Sequence, residues 1–269
     1  MTDRFESDWL ALREPADHRA RAGELAVRLE AWCRPRTPLQ VLDLGAGTGS
    51  NLRYLAARLR GSQRWTLVDH DPTLLALAIR NRPPGVDVRT LTADLQHWSV
   101  TTAVPAPELV TASALLDLVS RSWLAALVRD CRSLDAAALI ALSYDGEVHW
   151  SDPDPDDHFV RRAVNTHQER DKGLGAALGP RAAETAAALF REAGYAVWLA
   201  PSPWELDATD VALAQQWVAG WVDAAVAQIP EADARIRAWG RRRTADLGAG
   251  RTRLRVGHQD LLALPDVGR

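Results

Sequence analysis

The chain has 269 residues, of which 47% are hydrophobic and 25% charged. This is enough apolar material for one large core, or for one domain with an elaboration. The net charge of −3 lacks the overall basic field typical of nucleic-acid-binding chains. The two cysteines lie far apart without metal-ligand spacing, and the polar first residues are unlike a signal peptide, so we expect a reduced, cytoplasmic setting. No apolar run reaches the roughly 18 residues that a spanning helix needs, so no membrane partner is expected.

Apolar spacing over residues 17–33 predicts one helix, ended by prolines at 35 and 38. Strands and helices then alternate. The predicted strands cover residues 39–44, 65–68, 86–91, 109–112 and 137–143, with helices at 50–59, 72–81 and 120–133. This alternation predicts a doubly wound α/β fold, in which a mainly parallel sheet carries helices on both faces. In such a sheet, ligands bind at the carboxyl ends of the strands.

The alternation lapses after the fifth strand, and a long polar insertion is predicted at residues 145–179. Further helices are predicted at 180–193, 208–228 and 231–246, and strands at 195–199 and 252–256. We therefore expect an N-terminal helical cap (1–38), a core (39–206) that includes the insertion, a helical lid (207–248), and a return to the core (249–269).

The stretch from Val41 to Gly49 is the most informative in the chain. A buried strand that contains Asp43 breaks into a turn with glycines at Gly45, Gly47 and Gly49. Glycines let a backbone approach a ligand closely, and the helix that follows directs its free N–H groups to the same place. The spacing is G-x-G-x-G, whereas dinucleotide-binding turns have G-x-G-x-x-G. The turn therefore predicts a nucleoside-like ligand and disfavours an NAD-dependent oxidoreductase.

Acids also follow the next two predicted strands. Asp69 ends the second strand about 20 residues after the turn, a spacing that suits a carboxylate accepting ribose hydroxyls. His70, its neighbour, is included in the candidate ligand site. Asp94 follows the third strand and is placed to accept from an adenine amino group, with Leu95 beside the ring.

Residues 41–49, 67–69, 93–94 and 109–113 together resemble the class I S-adenosylmethionine-dependent methyltransferases, over roughly residues 39–144. The resemblance implies a Rossmann-like, seven-stranded sheet with an antiparallel last strand, for which the strands at 195–199 and 252–256 are the candidate pair. It implies S-adenosyl-L-methionine as the cofactor. In that family the acid at Asp43 lies near the methionine moiety and the three glycines line the cofactor. Asp69 then takes the ribose, and Asp94 with Leu95 meets the adenine.

The resemblance also implies that Ser113 and Asp117 pass near the sulfonium, although Asp117 could instead cap the next helix. N-terminal helices often fold over the cofactor in this family. Arg13 or Arg21 would then pair with the methionine carboxylate, and a surface ion pair of Arg13 with Glu14 or Asp17 is the alternative.

The candidate catalytic residues are His167, Asp117 and Tyr144. Tyr144 ends the fifth strand, and His167 lies among polar neighbours in the insertion. A hydroxyl or ammonium acceptor must lose a proton, which a histidine or carboxylate assists. A loop or capping role is the alternative for the histidine. The acidic run at 152–157 is interpreted as a solvated loop and no metal site is predicted, with metal-dependent methylation of catechols left open.

These observations predict a methyltransferase that acts on a small molecule, with oxygen favoured over nitrogen or carbon. One alternative is methylation of protein or RNA, with the eight arginines between Arg235 and Arg255 as a docking face. Another is a non-catalytic partner subunit that binds the cofactor. The residues after the fourth strand lack the Asn-Pro-Pro-Tyr type signature of base-amino methylation, so DNA is not expected as a partner. We expect a monomer or a homodimer.

Overall fold

A computed structural model describes residues 7–265. Within them, one sheet is built from eight strands. The strands are β1 (Leu39–Leu44), β2 (Gln63–Asp69), β3 (Asp87–Thr92), β4 (Leu109–Ser113), β5 (Ala137–Trp150), β6 (Tyr195–Pro201), β7 (Trp204–Leu206) and β8 (Leu254–Pro265). Their order is β3-β2-β1-β4-β5-β8-β6, and the short β7 pairs with β8 beside this path. The first five strands are parallel and β8 is antiparallel to β5 and β6. The mainly parallel sheet with an antiparallel last strand is thereby confirmed, with one short strand more than predicted.

Helices cover both faces of the sheet. The nine α-helices of the described residues are α1 (Ser7–Ala20), α2 (Gly23–Cys33), α3 (Ser50–Ala56), α4 (Pro72–Arg80), α5 (Arg121–Ser133), α6 (Asp157–Gln168), α7 (Ala182–Glu192), α8 (Val211–Gln228) and α9 (Asp233–Gly248). One buried cluster joins α5 and α7 to the sheet, and another joins α2, α3 and α4 to it. No helix in residues 7–265 is long and apolar enough to cross a membrane.

The strand order reverses between β1 and β4. From β1 the chain winds outward through β2 to β3, and then returns to place β4 on the other side of β1. A crevice forms at such a reversal, at the carboxyl ends of the two central strands, because their connections leave in opposite directions. The glycine turn follows β1 directly and therefore lies at this crevice.

The single helix predicted over residues 17–33 is wrong. The structure has two helices, and the chain turns between them at Arg21 and Ala22. The backbone N–H of Ala22 donates to Oδ2 of Asp260 at 3.0 Å, and the Arg21 side chain donates to the same oxygen. Both donors are held by one buried carboxylate from β8, a long-range contact that apolar spacing does not reveal.

The limits predicted for the fifth and last strands are also wrong. β5 continues to Trp150, and β8 runs from Leu254 to Pro265 instead of ending at 256. The pair predicted at 195–199 and 252–256 exists only in part, because β6 pairs with residues 259–265 of β8. Residues 254–256 pair instead with β7 and with the far end of β5. Two register shifts in β5 allow this, and Asp260 accepts from the Leu142 N–H at 2.8 Å within the first of them.

A third buried cluster lies beyond the carboxyl end of β5. There α6, α8 and α9 pack together against β7 and the neighbouring ends of β5 and β8. The predicted polar insertion thus contains a helix, α6, whose Val160, Ala163 and Val164 are buried. This tryptophan-rich layer and α1 stand next to the crevice and form one side of the site.

Candidate functional site

A cavity of about 400 Å³ opens at the crevice between β1 and β4, and we call it the switch-point cavity. Nine of the ten residues predicted to hold the ligand line it. They are Arg13, Asp43, Gly45, Gly47, Asp69, His70, Asp94, Leu95 and Ser113. Gly49 does not line it. A Cβ on Gly49 would lie 3.0 Å from Cβ of Ala78, so this glycine allows α3 to pack closely on α4.

The glycine turn needs its glycines because its backbone is left-handed at each of them. The φ angles of Gly45, Gly47 and Gly49 are 61°, 52° and 81°, a region that side chains disfavour. At Gly47 the space is limited as well, since a Cβ there would lie 3.3 Å from Cδ1 of Leu10 on α1. The turn therefore presents bare backbone to the cavity beneath α1.

Asp69 is held rigidly at the end of β2. Its Oδ2 accepts from the Gly47 N–H at 2.8 Å, and its Oδ1 accepts from the Asp71 N–H at 3.0 Å. The imidazole Nδ1 of His70 lies 3.3 Å from Oδ1. Each carboxylate oxygen keeps a second lone pair, so the side chain can still accept hydrogen bonds from a pair of ligand hydroxyls.

Asp43 is a buried carboxyl with one oxygen unused. Its Oδ1 accepts from Nδ2 of Asn51 at 2.7 Å, whereas Oδ2 has no hydrogen-bond partner among the described residues. Burial raises the pKa of Asp43 to about 7, against the hydrogen bond from Asn51 and the nearby charge of Arg21. A buried, unsatisfied acceptor costs free energy, so a cationic or hydrogen-bonding ligand group at this position would relieve that cost.

Arg13 belongs to both sides of the site. Its Nε donates to Oδ2 of Asp17 at 2.8 Å, the ion pair that we gave as an alternative, and its guanidinium carbon lies 5.0 Å from the ring centroid of Trp204. It nevertheless lines the switch-point cavity and the cavity next to it. Arg21, the other candidate, is occupied by Asp260 and Asn51 and lines neither cavity.

A second cavity of about 470 Å³ adjoins the first and shares Arg13, Ala114 and Leu118 with it. We call it the aromatic cavity, because six rings line it: Trp9, Tyr144, Trp204, Trp217, Trp221 and His258. Its polar lining includes Asp117, Gln168 and Gln216. A mainly apolar cavity with a few converging polar groups is the usual form of a small-molecule site.

Asp117 and Tyr144, both predicted to be catalytic, line the aromatic cavity and differ in their protonation. Burial raises the pKa of Asp117 to about 6, opposed by the charges of Arg13 and Lys172. Burial also raises the pKa of Tyr144, whose hydroxyl donates to Oδ1 of Asn165 at 2.8 Å. At neutral pH, Asp117 is therefore available as a base, whereas Tyr144 keeps its proton.

His167 lines neither cavity. It is partly buried near the end of α6, while Val164 and Gln168 of the same helix line the aromatic cavity. The other histidines of the insertion, His149 and His158, line a third cavity of about 280 Å³. The role of His167 as a base stays a prediction that the geometry does not favour.

His258 is a residue of the site that was not predicted from the sequence. It is buried, its Nδ1 has no hydrogen-bond partner among the described residues, and burial lowers its pKa to about 3, so it is neutral. Alternation was the available signal: His258 shares a strand face with Leu254 and Val256, both buried. Lys172, the single lysine of the sequence, also lines the switch-point cavity.

The acidic run and the arginine-rich stretch neutralise one another in part. Asp154 and Asp156 bind Arg242, and Asp157 accepts from Arg243. Six of the eight arginines pair with acids, namely Arg235, Arg237, Arg242, Arg243, Arg251 and Arg255. The acidic run is therefore an ion-paired segment instead of the solvated loop that we expected. Within residues 7–265, no group of three or more His, Cys, Asp or Glu side chains is arranged to hold a metal ion.

Residues 41–135 match a family described as a methyltransferase domain. A search of curated protein sequences found no match. Among solved structures, the chain is similar to a SAM-dependent methyltransferase from Geobacter sulfurreducens in complex with S-adenosyl-L-homocysteine, with 20% identity over 99% of this chain and 100% of that one, and a TM-score of 0.49.

Two further solved structures are similar. One is a SAM-dependent methyltransferase from Thiobacillus denitrificans in complex with S-adenosyl-L-homocysteine (20% identity, 96% of this chain, 98% of that one, TM-score 0.45). The other is the cyclopropane synthase MmaA2 from Mycobacterium tuberculosis (12% identity, 96% and 94%, TM-score 0.48). With TM-scores below 0.5, these likenesses do not identify a reaction.

Proposed function

We propose that this chain, whose residues 41–135 match a methyltransferase domain, is a class I, Rossmann-like methyltransferase that transfers a methyl group from S-adenosyl-L-methionine to a hydroxyl oxygen of a small molecule. The observation that carries the proposal is the meeting of two cavities at Arg13, Ala114 and Leu118. The switch-point cavity would hold the cofactor and the aromatic cavity the acceptor. Asp117 lines the acceptor side, next to their junction.

The residues of the switch-point cavity fit S-adenosyl-L-methionine. The unused Oδ2 of Asp43 is a buried acceptor for a ligand that carries an ammonium group. The free lone pairs of Asp69 suit the two ribose hydroxyls, and Asp94 with Leu95 would meet the adenine. The bare turn at Gly45 and Gly47 gives room for a nucleoside against the backbone. When bound, this cofactor supplies a methyl group activated by its sulfonium sulfur.

The protein's part is to align the acceptor and to take its proton. Holding the acceptor against the junction of the cavities removes up to about 7–11 kcal/mol of the barrier in well-oriented systems. Asp117, with its pKa of about 6, is mostly ionised at neutral pH and is placed to accept the hydroxyl proton. The positive charges of Arg13 and Lys172 lower the pKa of Asp117 and so favour its ionised form. The same two charges favour a neutral acceptor over a cationic one.

The arginine-rich stretch supports a small-molecule acceptor over RNA or protein. Six of its eight arginines are already paired with acids of this chain. Binding a polyanion through these side chains would require breaking those pairs, since phosphate contacts need available cations.

Two measurements test the proposal. Calorimetric titration with S-adenosyl-L-methionine and with NAD should show binding of the first alone, and binding of NAD alone would refute the proposal. A cell extract is then incubated with the protein and methyl-labelled cofactor, and the products are separated by mass. We expect label in a small-molecule methyl ether. Label in protein or RNA would support the macromolecular alternative, and cofactor binding without any transfer would support the partner-subunit alternative.

A further inference from the structure

We propose that the aromatic cavity takes an uncharged, planar aromatic ring bearing a hydroxyl group, and that the ring enters past Gly220 of α8. The inference rests on the proposed function, because it assumes that this cavity is the acceptor site. Three features carry it: the arrangement of the rings, the charges around them, and the opening at Gly220.

The rings form a belt around the cavity. Trp217 and Trp221, one turn apart on α8, are stacked with centroids 4.1 Å apart and an interplanar angle of 30°. On the other side, Trp204 and His258 lie 5.3 Å apart. Tyr144 joins the two sides, since its ring lies 6.3 Å from both Trp221 and His258.

Rings around a cavity leave part of their surface without contacts, unlike rings in a core. In a core they fill the space between elements, whereas here they border about 470 Å³ of unfilled volume. Ring faces and edges exposed to such a void lack attractive contacts. An aromatic guest would supply them, because stacked and edge-to-face ring pairs gain more than their buried area alone.

The charges around the belt favour an uncharged guest over a cationic one. The guanidinium of Arg13 already lies 5.0 Å from the Trp204 ring centroid, the position that an ammonium ligand would use. His258 is neutral, and Asp117 is balanced in part by Arg13 and Lys172. A neutral ring with one hydroxyl matches this set, since Asp117 can accept from that hydroxyl.

The opening lies on α8. Gln216, Ala219 and Gly220 line the cavity and are also exposed on the outer surface. A Cβ added at Gly220 would meet no atom within 4 Å. Glycine is unfavourable inside a helix, so a larger residue there should be tolerated by the fold while covering the entrance.

The test uses Gly220→Leu, with Ala212→Leu as a matched control, because Ala212 is exposed on the same helix and lines no cavity described above. The probes are 2-naphthol and its saturated counterpart 2-decalol, titrated calorimetrically with and without saturating S-adenosyl-L-homocysteine.

We expect 2-naphthol to bind about tenfold more tightly than 2-decalol, because its aromatic ring would gain about two additional ring contacts. Gly220→Leu should weaken 2-naphthol binding at least about tenfold by steric exclusion, with the affinity for S-adenosyl-L-homocysteine and the Tm retained. Ala212→Leu should change none of these.

Equal binding of the two probes, no binding of 2-naphthol, or wild-type binding by Gly220→Leu would overturn the inference. These failures are distinct from failure of the proposed function. If S-adenosyl-L-homocysteine does not bind to the wild-type protein, the cofactor assignment is wrong, while the ring preference can still be measured in its absence.

Discussion

Asp69 connects the glycine turn to the proposed ribose site through a single carboxylate. Replacing it with alanine removes the acceptors for ligand hydroxyls and also frees the Gly47 N–H, which Asp69 holds at 2.8 Å. We expect Asp69→Ala to weaken S-adenosyl-L-methionine binding by about 1–3 kcal/mol, the usual cost of lost hydrogen bonds to a charged group. Calorimetric titration measures the change, with Asp87→Ala as the control because Asp87 is exposed on β3. Unchanged affinity would remove Asp69 from the site.

Asp117 should control the pH dependence of turnover. Its pKa of about 6 predicts that the rate rises with pH through this value and levels off above it, because only the ionised carboxylate accepts a proton. Asp117→Asn should lower kcat by about 10²–10⁴-fold and abolish that rise. The assay is a pH series with the acceptor found in the extract screen. Asp135→Asn, at an exposed position, is the control, and an unchanged acid limb in Asp117→Asn would argue against its role as base.

At the scale of a secondary-structure element, α1 is the helix that joins the two cavities. Leu10 and Arg13 line the switch-point cavity, and Trp9 lines the aromatic cavity. Its anchor is the buried Asp17, which accepts from Arg13 and, at 2.9 Å, from Nε1 of Trp204 on β7. One carboxylate thus fixes the helix on the layer that holds the acceptor side.

Removing this anchor should loosen α1. We expect Asp17→Ala to lower the free energy of unfolding by about 2–4 kcal/mol, because it leaves a partly buried guanidinium and an indole N–H unpaired. Urea denaturation measures the loss. Asp8→Ala, exposed in the first turn of the same helix, should change it by less than about 1 kcal/mol. A loss of similar size in both variants would show that Asp17 has no special part in docking the helix.

At the scale of the whole molecule, the buried acids make stability depend on pH. The folded protein gives up the Asp117 proton near pH 6, whereas the unfolded chain gives it up near its ordinary value of about 4. The stability contribution of this group is therefore complete below about pH 4 and is lost as pH rises through 6. Burial lowers the pKa of His258, which acts in the opposite direction.

A variant isolates the Asp117 contribution. Asp117→Asn should be as stable as the wild type at pH 4 and more stable by up to about 3 kcal/mol at pH 7.5, since two pKa units correspond to about 3 kcal/mol. Chemical denaturation at both pH values measures the difference between the two proteins, so that the His258 contribution cancels. A stability gain that is the same at pH 4 and pH 7.5 would mean that the substitution acts through packing and not through ionisation.

Local signals in the sequence determined the parallel half of the sheet and the switch-point cavity. The turn at Gly45 and Gly47 follows β1 directly, and Asp69 and Asp94 follow the next two strands. Parallel strands carry such residues to one edge wherever the helices between them pack. Spacing along the chain was therefore enough to bring these residues together. It was not enough for Gly49, whose place against Ala78 depends on the approach of two helices.

Only the tertiary structure determined which residues line the aromatic cavity, the proposed acceptor site. Trp9, Tyr144, Trp204, Trp221 and His258 come from five different elements, and none has another as a close neighbour in sequence. They meet because β5 and β8 stay paired through two register shifts, and because α1 and α8 dock on the layer beyond them. Pairing between distant segments depends on the register of the whole strand. The strand predicted at 252–256 therefore ended before His258, which the structure places in β8 beside the aromatic cavity.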